Sequence, residues 1–174
     1  MLALVVGVAI VMWLGSSFPD AGTTGGTGGT GGTGGGTTAA GTTMTVAHVH
    51  DGDTLFLDPG DGRDELKVRL IGIDTPEIGD RAECFGAEAT ARTRELLPEG
   101  TAVTVIAEDD PLDQYGRSLL HLYLADGTHL NRLLVDEGYA ETMFFDPNRD
   151  FEAEFRDAER AAQAAGVGLW GACR

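Results

Sequence analysis

The chain has 174 residues and carries 28 acidic against 12 basic side chains, a formal net charge of −16. That length fits one domain plus an appendage. The acidity excludes a broad basic face of the kind that grips nucleic acid by releasing counterions. Lys67 is the sole lysine, and the other cations are arginines. Strong acidity with almost no lysine is the composition expected of a protein working in concentrated salt, where screening shortens to about 3 Å at 1 M and self-repulsion fades. An ordinary soluble acidic domain is the plainer alternative.

Residues 1–19 are mostly apolar and uncharged. Leu2–Leu14 is long enough for the apolar part of a signal peptide and short of the ~20 residues of a membrane span. A short membrane anchor is the other reading, and either places the protein outside the cell, secreted or tethered to the membrane's outer face. Residues 20–43 are nearly all Gly, Thr and Ala. Such a segment buries too little apolar surface to offset its ordering entropy, and is expected to act as a flexible linker. Residues 44–174 hold everything that can form a core.

Within that segment Met44–Val49 and Thr54–Leu57 read as strands around a polar His50–Asp53 turn. Asp58–Asp64, with Pro59, Gly60 and Gly62, reads as a hairpin loop. Leu66–Ile73 alternates and reads as one strand. A helix is expected near Glu83–Leu97, with Phe85, Ala89, Arg92 and Leu96 sharing a face, ended by Pro98 and Gly100. Val103–Ala107 and Arg117–Leu124 are two further strands. Thr128 is expected to cap a helix burying Leu130, Leu133 and Leu134 and stopping at Gly138. A last helix, from Asn148 to Gly166, carries the stripe Phe151, Phe155, Ala158, Ala162 and Ala165. Five short strands with a helix between the third and fourth predict an α+β fold, a five-stranded OB-type β-barrel with three helices.

Three polar clusters fall at strand ends: Asp51-Gly52-Asp53-Thr54, Arg69 through Asp74-Thr75-Pro76-Glu77, and Asp113-Gln114-Tyr115-Gly116-Arg117. Phosphodiester hydrolysis needs a stabilised phosphorane, an activated water and a neutralised leaving oxygen. Asp53 and Asp74 are hard oxygen ligands suited to Ca²⁺. Glu77 can orient or deprotonate a water. Arg69 and Arg117 can clamp a phosphate through planar forks. Alone, each cluster reads as a turn or a surface charge; the combination in this order is specific.

These segments resemble the staphylococcal nuclease (thermonuclease-like) family, as do Cys84-Phe85-Gly86-Ala87-Glu88-Ala89, Asn131–Val135 with Gly138-Tyr139-Ala140, and Gly168-Leu169-Trp170. The resemblance spans Met44–Cys173. It implies an OB-fold barrel with three helices and Ca²⁺-dependent cleavage of DNA and RNA that leaves 3′-phosphates. It implies Asp53 and Asp74 as metal carboxylates, a Thr75 backbone carbonyl on the metal, Glu77 as general base, Arg69 and Arg117 on phosphate, and Tyr115 beside the nucleotide. Two segments depart from the family pattern. The loop after Pro76-Glu77 is short and acidic (Ile78–Glu83) where a lysine-rich loop is usual. Met143, Phe144 and Phe145 stand where tyrosines are usual, so Phe145 is left as a stacking surface for a base.

Cys84 and Cys173 are too far apart in sequence for a zinc-knuckle or redox C-x-x-C pattern. A disulfide is the natural reading for an exported protein, with two free buried thiols as the alternative. His48, His50, His121 and His129 show no ligand spacing; His121 reads as a strand residue and the others as exposed. Glu108-Asp109-Asp110 reads as a solvated loop. Two other functions stay open: a non-catalytic OB module that binds nucleic acid or protein, and an acidic Ca²⁺-binding surface module. The first has no need of the full acid-and-arginine set, and the second leaves both arginines unexplained. A monomer is expected.

Overall fold

The computed structural model describes residues 41–173. The apolar segment at 1–19 and most of the Gly/Thr linker lie outside the described residues. The strands are β1 (Thr42–Val49), β2 (Thr54–Asp58), β3 (Leu66–Leu70), β4 (Gly72–Asp74), β5 (Ala102–Ile106), β6 (Ser118–Tyr123) and β7 (Glu141–Met143). The helices are α1 (Gly86–Leu96), α2 (Leu130–Asp136), α3 (Glu152–Ala165) and the short α4 (Leu169–Ala172). β1 starts at Thr42, two residues inside the expected linker.

Five strands close into a barrel in the order β1-β2-β3-β6-β5. All pairs are antiparallel except β3 with β6, which is parallel. Alternation puts Leu55, Leu57, Val68 and Leu122 inside with no exposed surface, each worth roughly 1.5–3 kcal/mol over an exposed position. A register shift between Val46 and His48 changes the phase of β1. Val46 and Val49, three apart, therefore both face inward.

The expected single strand Leu66–Ile73 is two strands. Gly72 has φ 79°, a left-handed conformation that ends the alternation. Leu70 and its neighbour Ile71 are both buried, as is Ile73, a run that strict alternation does not give, and β4 leaves the barrel to pair with β7. The sequence reading missed β7, because Glu-Thr-Met is too short and polar to show a period.

Helix α1 is shorter than expected and turned. Phe85 has φ 71° and lies outside it. Ala89, Thr90 and Thr93 form the buried face in place of Phe85, Arg92 and Leu96. Threonine escaped the apolar-stripe test, yet the Thr93 hydroxyl is satisfied by donating to the Gly52 carbonyl at 2.7 Å. The Thr128 cap is not formed: α2 begins at Leu130 with no side-chain cap. Leu133 is only half-buried. Asn131 is buried instead, donating to the carbonyls of Ile71 (2.9 Å) and Leu120 (3.2 Å) and accepting from Leu122 N (3.0 Å). α3 starts at Glu152 and buries Phe155, Ala158 and Ala162, while Ala165 is exposed.

Two polar expectations also change. Glu108 is not solvated: its side chain is 3% exposed, and Oε1 lies 2.5 Å from Nε2 of the buried His121. His129 is half-buried, with Nε2 3.1 Å from His121 Nδ1 and its ring stacked on Tyr123 at 4.5 Å. Among the described residues no helix is long and apolar enough to cross a membrane.

Candidate active site

Strand register brings the three polar clusters together. Thr54 pairs with Arg69, and Arg69 with Leu119, so the start of β2, the end of β3 and the start of β6 share one end of the barrel. A cleft of about 460 Å³ opens there. Asp53, Arg69, Asp74, Glu77, Tyr115, Arg117 and Phe145 all line it. Thr75 is buried behind it.

Asp53 is the hub. Its Oδ2 accepts from Thr75 N (2.8 Å) and Thr75 Oγ1 (3.0 Å), and its Oδ1 accepts from Thr54 Oγ1 (3.1 Å). Asp51 holds the turn beneath, its Oδ1 accepting from Asp53 N (3.1 Å) and Thr54 N (2.7 Å). This is an Asx-type arrangement that aims the Asp53 side chain inward. Burial pushes the Asp53 carboxyl above its ordinary value, and the Arg69 charge offsets that only in part.

Arg69 joins the two metal-ligand candidates. Its Nε lies 3.1 Å from Asp53 Oδ1, and Nη2 donates to Asp74 Oδ1 at 2.6 Å. Nη1 donates to the carbonyls of Leu70 (2.8 Å) and Ile73 (2.7 Å). Three of the five guanidinium N–H groups donate to protein acceptors and Nε faces Asp53 in the ion pair, which leaves one N–H on Nη2 for a substrate. Asp74 is raised above its ordinary value, first by burial, with the charges of Asp53 and Glu77 adding to it against Arg69. The two carboxylates thus flank one guanidinium, and the charge of Asp53 is felt at Asp74.

The Asp113–Arg117 turn closes the other side. Asp113 Oδ1 accepts from the backbone N–H of Tyr115 and of Arg117, both at 2.9 Å, and Oδ2 takes Arg117 Nε at 2.6 Å. Burial alone would raise the Asp113 carboxyl, but these bonds and the Arg117 charge together hold it below its ordinary value. Among the described residues no protein group takes the two Nη groups of Arg117, which lies 5.5 Å from the Tyr115 ring centroid. Tyr115 and Phe145 are 75% and 71% exposed, as stacking surfaces must be before a base arrives. Glu77 is exposed, and its backbone N–H donates to Glu83 Oε2 at 3.0 Å.

The cysteines form the disulfide Cys84–Cys173. Sequence reasoning missed Asn148, whose Oδ1 accepts from Asp110 N (2.9 Å) and whose Nδ2 donates to Asp110 O (2.8 Å). It ties the Phe145 segment to the loop before Asp113, and no local pattern announces a contact between positions so far apart in sequence.

The donor set fits a hard cation. Burial raises the proton affinity of both carboxylates and the charge of Asp53 adds to it at Asp74, so a bound cation would favour the ionised pair. Among the described residues no group of three or more His, Cys, Asp or Glu side chains gathers as a metal centre. A cation held by Asp53 and Asp74 would therefore complete its shell with carbonyls and water, as Ca²⁺ commonly does.

A small barrel with carboxylates, arginines and exposed aromatic rings at one end is the architecture of a phosphodiester-cleaving OB protein. The family described as staphylococcal nuclease homologue matches residues 67–172. The chain is 34% identical over 137 residues to a thermonuclease of Staphylococcus intermedius, covering 77% of this chain and 79% of that one. It is 31% identical to a thermonuclease of Staphylococcus hyicus, covering 74% and 75%. It is 30% identical to endonuclease YncB of Bacillus subtilis, covering 73% of this chain and 61% of that longer protein. The chain belongs to the staphylococcal nuclease family and is a nuclease, a hydrolase whose substrate is nucleic acid.

Proposed function

We propose that this protein is a Ca²⁺-dependent endonuclease that hydrolyses DNA and RNA and leaves 3′-phosphates. The observation that carries the reading is the pair Asp53 and Asp74, joined by Arg69 at the mouth of a cleft that also holds Glu77 and Arg117. Bound Ca²⁺ would supply charge neutralisation at the phosphate and acidify a water. Asp53 and Asp74 would hold the ion, with the Thr75 carbonyl as a further oxygen in the family pattern. Glu77 takes a proton from the attacking water. The Nη pair of Arg117 binds the phosphate, and Arg69 orients the two carboxylates and adds its remaining N–H. Tyr115 and Phe145 stack on bases, a contact that tolerates any sequence.

The alternative of a non-catalytic OB module requires none of this acid-and-arginine set. We further place the protein outside the cell as a monomer, exported or tethered through residues 1–19, and active in concentrated salt. The charge of −16 supports the last point, because a polyanionic substrate is repelled until screening shortens the field. The test is digestion of plasmid DNA and of RNA by the purified protein, with Ca²⁺ or a chelator, in a KCl series with end-group analysis. Calcium-dependent cleavage to 3′-phosphates, rising from about 0.1 M toward 1 M salt, is expected. Equal cleavage in chelator would refute the metal reading, and a monotonic fall with salt would refute the salt reading alone.

A further inference from the structure

Glu77 sits at the head of a segment with almost no hold on the rest of the fold. Residues 79–84 are all exposed, and the 3₁₀ turn Gly79–Arg81 buries nothing. Its hydrogen bonds close on themselves: Glu83 N donates to the Glu77 carbonyl at 2.9 Å, Ala82 N to Gly79 O at 3.1 Å, and Glu77 N to Glu83 Oε2. Among the described residues no hydrogen bond or ion pair joins Ile78–Glu83 to a residue outside 77–86.

Two features at the far end hold it. Cys84 is bonded to Cys173, just past α4. Phe85 follows in a left-handed conformation, φ 71°, with its ring 5.4 Å from that of Tyr139. A bulky residue at positive φ persists only where its surroundings over-determine it. Gly86 comes next, so tight against the Glu77 carbonyl that a β-carbon there would overlap it. The chain from Cys84 to Gly86 thus transmits the position of the disulfide to the backbone of Glu77. The other sulfur is well founded: α4 buries Leu169, whose N–H donates to Gly138 O at 2.9 Å.

We propose that the Cys84–Cys173 bond is a thiol-sensitive latch that positions Glu77 for catalysis. The proposal rests on the reading of Glu77 as the base. An external dithiol supplies two electrons and two protons: the sulfur–sulfur bond breaks, two thiols form, and the dithiol becomes a cyclic disulfide. Phe85 then relaxes toward negative φ, and residues 77–86 lose their fixed course while the barrel stays closed. The enzyme is at full rate only where disulfides persist.

The test compares the oxidised full-length protein, the same protein reduced by a dithiol, and the Cys84→Ala/Cys173→Ala double variant. Reduction should lower kcat by on the order of tenfold or more, because a base displaced by an ångström loses its alignment. KM and Ca²⁺ affinity should hold within about twofold. Amide exchange should accelerate at residues 77–86 and not in the barrel strands. The double variant should match the reduced protein and ignore the dithiol. In a Glu77→Gln background reduction should cost no further turnover, since both act on one step. Unchanged kcat with the bond broken overturns the proposal. So does exchange that quickens uniformly with loss of near-ultraviolet dichroism, which would assign the bond to the whole fold. If Glu77→Gln itself keeps its turnover, the base assignment falls and exchange decides: faster exchange at 77–86 keeps the latch, and unchanged exchange overturns it.

Discussion

The two halves of the cleft are built in opposite ways. On one side Arg69 is 12% exposed and bound to two carboxylates and two carbonyls drawn from the turn before β2, from β3 and from β4. On the other side Arg117 is 26% exposed and bound through Nε to one carboxylate four residues away. The first half is a buried polar network that orders its members; the second is a self-contained turn that presents a cation to solvent. Two arginines at strand ends thus become one cation embedded in a network and one with both Nη groups open to solvent.

Replacing Asp53 should have the largest effect. Asp53→Ala leaves Arg69 and the Thr75 donors short of a partner inside the protein, and breaking a buried pair typically costs about 3–5 kcal/mol. We expect a lower melting temperature together with lost Ca²⁺ binding and lost cleavage. Asp74, 44% exposed, should separate these effects: Asp74→Ala loses binding and cleavage with little change in melting. Equal melting shifts for the two variants would erase the distinction between hub and rim.

The arginines sharpen the comparison next. Arg69→Lys cannot reproduce bonds in four directions and should lower both stability and kcat. Arg117→Lys should leave melting nearly unchanged while kcat falls on the order of 10²-fold, because an ammonium offers no fork to a phosphate. Paired denaturation and steady-state kinetics check both. Arg117→Lys with wild-type turnover would remove it from the phosphate site.

The turn half leans on a titratable support, so acid should find it first. Behind the loop at Asp110 lie Glu108, His121 and His129, with Asp150, Glu154 and Arg132 also acting on the histidines. Burial lowers His121 and His129 to about 4. The folded state then binds fewer protons than the unfolded one between pH 6.5 and about 4. This stability is present above pH 6.5 and is lost as pH falls through that window, at up to ~1.4 kcal/mol per unit for each histidine. Glu108, raised by burial, opposes the trend near and above its ordinary value. We expect melting temperature to fall from pH 6.5 to 4, and His129→Asn to flatten the slope. An unchanged slope in that variant would remove His129 as a source.

The smallest effect is expected at the exposed rings. Tyr115→Ala or Phe145→Ala should leave melting unchanged and weaken substrate binding by about 1 kcal/mol, roughly fivefold in KM on single strands. A kcat loss exceeding the KM change would move the ring concerned from binding into chemistry.

Local chemistry made the barrel legible: the alternation of Leu55, Leu57, Val68 and Leu70, the turn residues between strands and the stripe on α3 need only neighbours in sequence to be read. The three polar clusters were legible for the same reason, since each is a short turn at the end of an apolar run. What only the tertiary structure decided are contacts whose partners lie far apart in sequence. β7 exists because β4, released by Gly72, needs an edge to pair with. Asn131 and Thr93 are core residues because distant backbone groups satisfy them. The Glu108 side chain is sheltered from solvent where it meets His121. Arg69 links Asp53 and Asp74 because the register of β2 on β3 sets one carboxylate within an ion pair and the other within a hydrogen bond of it. A sequence lists which groups can bond; the closed barrel fixes which of them meet, and in a buried site the meeting determines the role.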